Sequence, residues 1–229
     1  MNDDTPTRLI AIRHGETEWN LAGRVQSHAD SPLTPRGLAQ AQAVADALAD
    51  EPIDALYSSD LGRAATTAAI IATPHPLPVI PDARLRERNL GLWQGLTTDE
   101  LKARHPDVHA AIAAGDPDYI IPGGESLRQR QQRATDVIDN LAARHPGQTI
   151  AIVTHGGILN SLFRQAVGLP LTAPRRFSLF NAAINRLTIR PGRWTVDTWG
   201  QTSHLAHLTT LDDRRPSKTP PNDKNRPHT

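Results

Sequence analysis

Cysteine is absent from all 229 residues, which excludes a disulfide framework and any thiolate metal site. Charge of one sign is lacking as well. The 25 Lys and Arg stand against 24 Asp and Glu for a formal net charge of +1, so no general attraction for polyanions is expected, although Arg84, Arg86 and Arg88 offer a local anion site. Long hydrophobic runs are missing too. The opening MNDDTPTRLIAI is acidic, and its apolar stretch from Leu9 to Ile12 is too short for a secretory core or a membrane span. A cytoplasmic protein without a membrane partner is the expectation. What the chain does have is a hydrophobic content of 38%, enough to offset the entropy of ordering a core, and the length of one α/β domain, about 200 to 250 residues.

Leu9 to Ile12 is bounded by polar residues and reads as a buried strand that ends at Arg13-His14-Gly15. Thr34-Pro35 is an N-cap with proline at the first helical position, and Leu38, Ala41, Val44, Ala45 and Leu48 recur at helical spacing up to Pro52. Ile53 to Tyr57 reads as a second strand, with Ser58-Ser59-Asp60 capping an Ala-rich helix that runs to about Thr73. A weak extended segment around Pro78 to Ile80 precedes LRERNLGLWQG and a Pro-interrupted helical stretch from about Thr98 to Gly115. Ser126 and Gln129 form a capping box for a helix over Leu127 to Arg144. Thr149 to Thr154 is the clearest strand, running into His155-Gly156-Gly157 and a helix that ends near Gly168. Arg186 to Arg190 and Trp194 to Trp199 read as two strands across Pro191-Gly192. The alternation predicts an α/β fold, a three-layer α/β/α sandwich with a mostly parallel central sheet. Residues 1–8 are expected to be an N-terminal segment, 9–210 the domain, and 211–229 a disordered tail, because from Asp212 onward there are four prolines and no aromatic or aliphatic residue.

Three distant sites share one context, a strand end opening into polar residues: Arg13-His14, Ser58 to Arg63, and His155-Gly156. In a parallel sheet these ends lie on one edge, where ligands bind. Arginines beside histidines repel a metal cation and favour a phosphate, which the helix N-termini at Arg63 and Gly156 favour further. No metal or cofactor is expected. A histidine between arginines is held neutral by like charge and keeps the lone pair a nucleophile needs, which singles out His14. Arg13, Arg63 and His155 suit the neutralisation of phosphoryl oxygens, and Glu87 is the candidate proton donor for the leaving alkoxide.

These residues carry a resemblance to a known family. Arg13-His14-Gly15-Glu16-Thr17-Glu18-Trp19-Asn20, then Gly23-Arg24-Val25-Gln26, then Asp30-Ser31-Pro32-Leu33-Thr34 and Gly37 resemble the N-terminal signature of the histidine phosphatase superfamily, which includes the phosphoglycerate mutases. Ser58 to Ala64, Leu85-Arg86-Glu87 with Gly91 and Gly95, and Thr154-His155-Gly156-Gly157 resemble its other motifs. Ser27 departs from the resemblance, since many relatives have glycine there, and this affects the local shape of the loop. The resemblance implies a phosphorylated nucleophile at His14, a phosphate pocket of Arg13, Arg63 and His155, a proton donor at Glu87, and substrate contacts from Asn20 and Gln26. Phosphatases and mutases share these residues. Mutases carry a longer, more basic insertion between the acid and the second histidine, whereas here 67 residues lie between Glu87 and His155 with no arginine pair before Arg128.

The expected function is hydrolysis of a small phosphorylated metabolite through a phosphohistidine. A phosphoglycerate mutase is the first alternative and a non-catalytic phospho-ligand binding module the second. Glu125, in Gly123-Gly124-Glu125-Ser126, is accounted for by the turn before the capped helix, with a place in the pocket as the lesser reading, and His28 is the other histidine near the motif. Arg128, Arg130 and Arg133 read as a solvated helix face, and with no aromatic residue between them no nucleic-acid partner is expected. Nothing specifies an assembly, so a homodimer, the commonest form, is the default.

Overall fold

The computed structural model describes residues 5–208, and the expected tail at 211–229 lies outside them. Six strands form one sheet in the order β3-β2-β4-β1-β5-β6. They are β1 (Thr7–Arg13), β2 (Ala55–Ser58), β3 (Val79–Pro81), β4 (Thr149–Thr154), β5 (Ile184–Arg190) and β6 (Arg193–Gln201). The first four in this order pair in parallel, and β5 joins β1 antiparallel with β6 beside it. Strands β1, β5 and β6 reach a residue or two beyond the stretches expected from the sequence, β4 has the expected bounds, and β2 begins two residues after Ile53.

Period-two alternation divides the sheet between two cores. Leu9, Ala11, Ile150 and Ile152 face one side, packed on α6 (Leu127–Arg144) and α7 (Gly156–Val167). Ile10, Ile12, Ala151 and Val153 face the other, packed on α2 (Pro35–Leu48) and α3 (Gly62–Ile71). Both sides of every central strand are therefore apolar, as parallel strands covered by helices require, and the three-layer sandwich is what forms. On α2 the buried stripe is Ala41, Val44, Ala45 and Leu48, whereas Leu38 is exposed.

The remaining helices lie off the sheet. A short α1 (Glu18–Ala22) follows the first strand, while α4 (Thr98–Arg104) and α5 (Pro106–Ala114) split at Pro106. Leu101, Val108 and Ile121 bury one another beneath Leu90, Trp93, Leu96, Ile112 and Tyr119. This small third cluster holds up the segment between β3 and α6.

Candidate functional site

The register of the sheet builds the site. Arg13 pairs with Thr154 across β1 and β4, so the next residue of each strand, His14 and His155, leaves the sheet side by side. His14 N–H donates to Thr154 O at 3.0 Å, and the two rings sit 5.2 Å apart, tilted by 56°. The end of β2 joins them, with Ser59 N–H donating to Val153 O at 2.9 Å. The three strand ends converge on one edge as expected.

His14 is 3% exposed and its Nδ1 lies 2.7 Å from Gly15 O. A carbonyl can only accept, so Nδ1 carries the proton and Nε2 keeps a lone pair. Its pKa is held well below the ordinary histidine value, chiefly by burial, then by the positive charges of Arg63 and Arg13, against the opposing pull of the Gly15 carbonyl. The neutral imidazole is as expected, but like charge is the second cause and desolvation the first. His155 is fully buried and lowered in the same way by burial, then Arg63 and His14. Its Nε2 is 2.8 Å from Ser59 Oγ and its Nδ1 has no partner.

A cavity of about 460 Å³ opens over this cluster, lined among others by Arg13, His14, Asn20, Gln26, Arg63, Glu87 and Gly156. His155, its ring against that of His14, does not itself line the cavity. The Arg13 guanidinium is anchored on Leu179 O. Arg63, 2% exposed, gives its terminal nitrogens to Ala29 O and Ser27 O, both at 2.8 Å, and leaves Nε without a partner. The first turn of α3 is not capped by Ser58, Ser59 or Asp60. Instead Asp30, from a distant loop, accepts from Arg63 N–H at 3.2 Å, and Ser59 turns to His155. Sequence-local capping lost to tertiary contacts because Ser59 sits at the strand edge where the histidines meet.

Glu87 is not part of an arginine salt-bridge cluster. Arg84 pairs with Asp82 and Arg86 with Asp60, which leaves the Glu87 carboxylate in the cavity, accepting from Arg88 N–H at 2.7 Å and Gly157 N–H at 2.8 Å. Only glycine permits this approach, because a Cβ on Gly157 would lie 2.0 Å from Glu87 Oε1. Gly157 thus joins Gly156 at the opening of α7. Gln26 is 8% exposed, with Oε1 buried and without a partner on the cavity wall. Asn20 lines the cavity too, but its carboxamide oxygen accepts from Thr17 N–H at 3.1 Å and closes the capping box of α1.

Ser27 resolves the loop shape that its departure from glycine left open. It takes φ +52°, the left-handed region that costs a residue with a side chain about 1 kcal/mol or more. Its buried hydroxyl donates to Arg88 O at 3.1 Å and accepts from Leu90 N–H at 2.8 Å, which offsets roughly 1 kcal/mol per bond. Serine holds a left-handed turn here and adds two ties to the loop carrying Glu87.

Packing decides the remaining readings. Glu125 does not line the cavity; it pairs with Arg133 at 2.5 Å. Arg130 is 5% exposed with its pKa lowered to about 10, chiefly by burial, and donates to Ser161 Oγ at 3.1 Å, so it is no solvated residue. Arg128, exposed against Asp118, is one. His28 does not reach the cavity and binds Glu87 O through Nε2 at 2.9 Å.

Trp19, Arg24, Asn160, Arg175 and Asn181 line the cavity without having been picked out as site residues. Asn181 Nδ2 donates to His14 O at 2.9 Å. The signal for it was the last hairpin: β5 runs antiparallel to β1, so its beginning meets the end of β1 at the active edge. Among the described residues no group of three or more His, Asp or Glu is arranged to hold a metal ion, and no helix is long and apolar enough to cross a membrane.

The chain is similar to known proteins. A metal-independent phosphoserine phosphatase from Arabidopsis thaliana is 39% identical over 206 residues, 88% of this chain and 84% of that protein. Phosphoglycerate mutase-like protein 4 from the same plant is 39% identical over 201 residues, 86% of each. Among solved structures, YhfR of Bacillus stearothermophilus superposes with a TM-score of 0.80 at 33% identity, covering 87% of this chain and 99% of that one. The sequence profile of the histidine phosphatase superfamily (branch 1) matches residues 9–202, and the chain belongs to that family.

Proposed function

We propose that the protein is a phosphatase that hydrolyses the monoester of a small phosphorylated metabolite through a phosphohistidine at His14. The observation that carries this is the buried His14, whose protonated Nδ1 is tied to Gly15 O while Nε2 remains a lone-pair donor beside Arg63 and His155. Nε2 attacks phosphorus as the bond from phosphorus to the alcohol oxygen breaks. Arg13, Arg63 and the N-terminus of α7 at Gly156 neutralise the equatorial oxygens, and His155, whose ring lies 5.2 Å from that of His14, supports the nucleophile rather than the oxygens. Glu87, in its protonated form, gives a proton to the leaving alkoxide. As a carboxylate it then takes one from the water that attacks the phosphohistidine, releasing inorganic phosphate and restoring His14.

Gln26 and Asn20 contact the substrate in this reading, and its alcohol portion lies against Trp19, Leu21, Val25 and Leu90 of the cavity wall. Hydrolysis is favoured over mutase chemistry because only 67 residues lie between Glu87 and His155, with no arginine pair before Arg128, and Arg24 on the cavity wall already holds Glu100 through both terminal nitrogens at 2.7 and 3.0 Å. The test is hydrolysis of an aryl phosphate in EDTA. His14→Ala should reduce turnover at least about 10⁴-fold, and an alkaline denaturing quench of the wild type should trap a protein-bound phosphoryl group that is stable to base, lost on acid treatment and absent from the variant. Undiminished turnover in the variant, or loss of wild-type activity to the chelator, would overturn the reading.

A further inference from the structure

The loop that carries Glu87 has little structure of its own. After a single 3-10 turn at Ala83–Leu85, residues 86–90 run without helix or ladder, so their carbonyls need partners from elsewhere. One side chain supplies two of them, together with the carbonyl of Arg84 just before. Arg133, on the second turn of α6, donates to Arg84 O at 2.7 Å, Arg86 O at 2.8 Å and Glu87 O at 3.4 Å. Its fork is held by Glu125, whose Oε1 accepts from Arg133 at 2.5 Å and from Asn89 N–H at 2.9 Å. The Glu125 backbone adds two bonds, from its N–H to Asn89 O and from Arg88 Nε to its own carbonyl, both 2.9 Å. Neither side chain lines the cavity.

We infer that Arg133, clamped by Glu125, is a positioning residue that sets the reach of Glu87 toward the leaving oxygen. The geometry of a guanidinium explains the residue type. Only a planar fork with five donors can satisfy three carbonyls along an irregular loop while pairing with a carboxylate, and lysine, a single point of charge, cannot. The pair acts on the backbone rather than on the carboxylate, so it fixes where Glu87 starts from, while the N–H groups of Arg88 and Gly157 fix where its carboxylate ends. Ser27 and His28 hold the opposite side of the same loop. A loop pinned from both sides is what a proton donor needs, because proton transfer fails when the donor lies beyond hydrogen-bond reach.

This inference rests on Glu87 being the proton donor, and the test separates the two. The acid matters when the leaving group is a poor one and is dispensable when it is good. kcat/KM is therefore measured for an alkyl phosphate such as β-glycerophosphate and for 2,4-dinitrophenyl phosphate, whose phenolate departs unprotonated. Glu87→Gln should lose roughly 10²-fold or more on the alkyl ester and little on the dinitrophenyl ester. Arg133→Ala should show the same split at about tenfold or more, with Arg133→Lys and Glu125→Gln, which disturb the fold less, showing it to a smaller degree. A residue that merely stabilises the fold would move both substrates alike. Equal losses on both esters in the Arg133 and Glu125 variants, or no loss, alongside a split in Glu87→Gln would overturn the brace alone. An even response in Glu87→Gln would take down the acid assignment and the brace with it.

Discussion

The two sides of the cavity are built differently. On the phosphate side, His14, Arg13 and His155 sit on or directly after strands of a close-packed sheet, and their placement follows from the pairing of Arg13 with Thr154. On the acid side, Glu87 sits on an irregular loop held by Arg133, Glu125, Ser27 and His28 from three separate segments. The contrast matches the chemistry. In the proposed reaction the phosphoryl group is the same in every monoester, which suits a rigid site, whereas the alcohol varies and the side proposed for it is made of loops, which change without disturbing the sheet.

If the comparison holds, damage to the phosphate side should be large and indifferent to the leaving group. Arg63→Ala removes a buried cation and strands the carbonyls of Ser27 and Ala29. kcat/KM should fall roughly 10² to 10³-fold for good and poor leaving groups alike. A loss confined to poor leaving groups would erase the distinction between the two sides.

Damage to the acid side should be smaller and selective. Gly157→Ala places a Cβ 2.0 Å from Glu87 Oε1, and the flexible carboxylate, not the backbone, is what moves aside. An alkyl phosphate should lose about tenfold to hundredfold while melting temperature changes little. Unchanged activity on that ester would show that Glu87 need not sit against Gly157.

The smallest effect sharpens the comparison through stability. His14 and His155 are held neutral in the folded protein below the ordinary histidine value, so no stability is at stake while both are also neutral in the unfolded chain. Below about pH 6.5 the unfolded chain takes up protons that the folded one refuses, and stability falls as pH drops, by up to about 1.4 kcal/mol per pH unit for each histidine. Urea titrations of phosphate-free protein at pH 7.5 and 5.5 should show this fall, and His14→Ala should flatten it. The same slope in the variant would mean that His14 titrates normally.

Legibility followed the same division. Both cores could be anticipated from the apolar runs Leu9 to Ile12 and Thr149 to Thr154, and the Ser126 box set the start of α6. The Ser58-Ser59-Asp60 cap failed because Asp30 took the role, a partner that local spacing cannot reveal. The Arg130-Arg133 stretch read as solvated because every third or fourth residue of a helix looks outward in sequence unless a neighbour is known. In the fold Arg130 packs against Ser161 and Arg133 against the acid loop. Glu125 could be read as a pocket residue for the same reason, since its distance from Arg133 is a fact of helix and loop together.

By itself the sequence determined the chemistry on offer: which side chains occur, that three strand ends open into polar residues, and that the strands between them are apolar on both faces. Those are properties of local pattern, and burial enforces them wherever such a chain folds. Only the tertiary structure decided the causes and the supports. Burial, which no pattern displays, outranks arginine charge in keeping His14 neutral. Ser27 keeps a left-handed turn because two hydrogen bonds to a loop some sixty residues away offset its strain. Glu87 lines the cavity on a loop tied by Ser27 and His28 from before it in the chain and by Glu125 and Arg133 from after it.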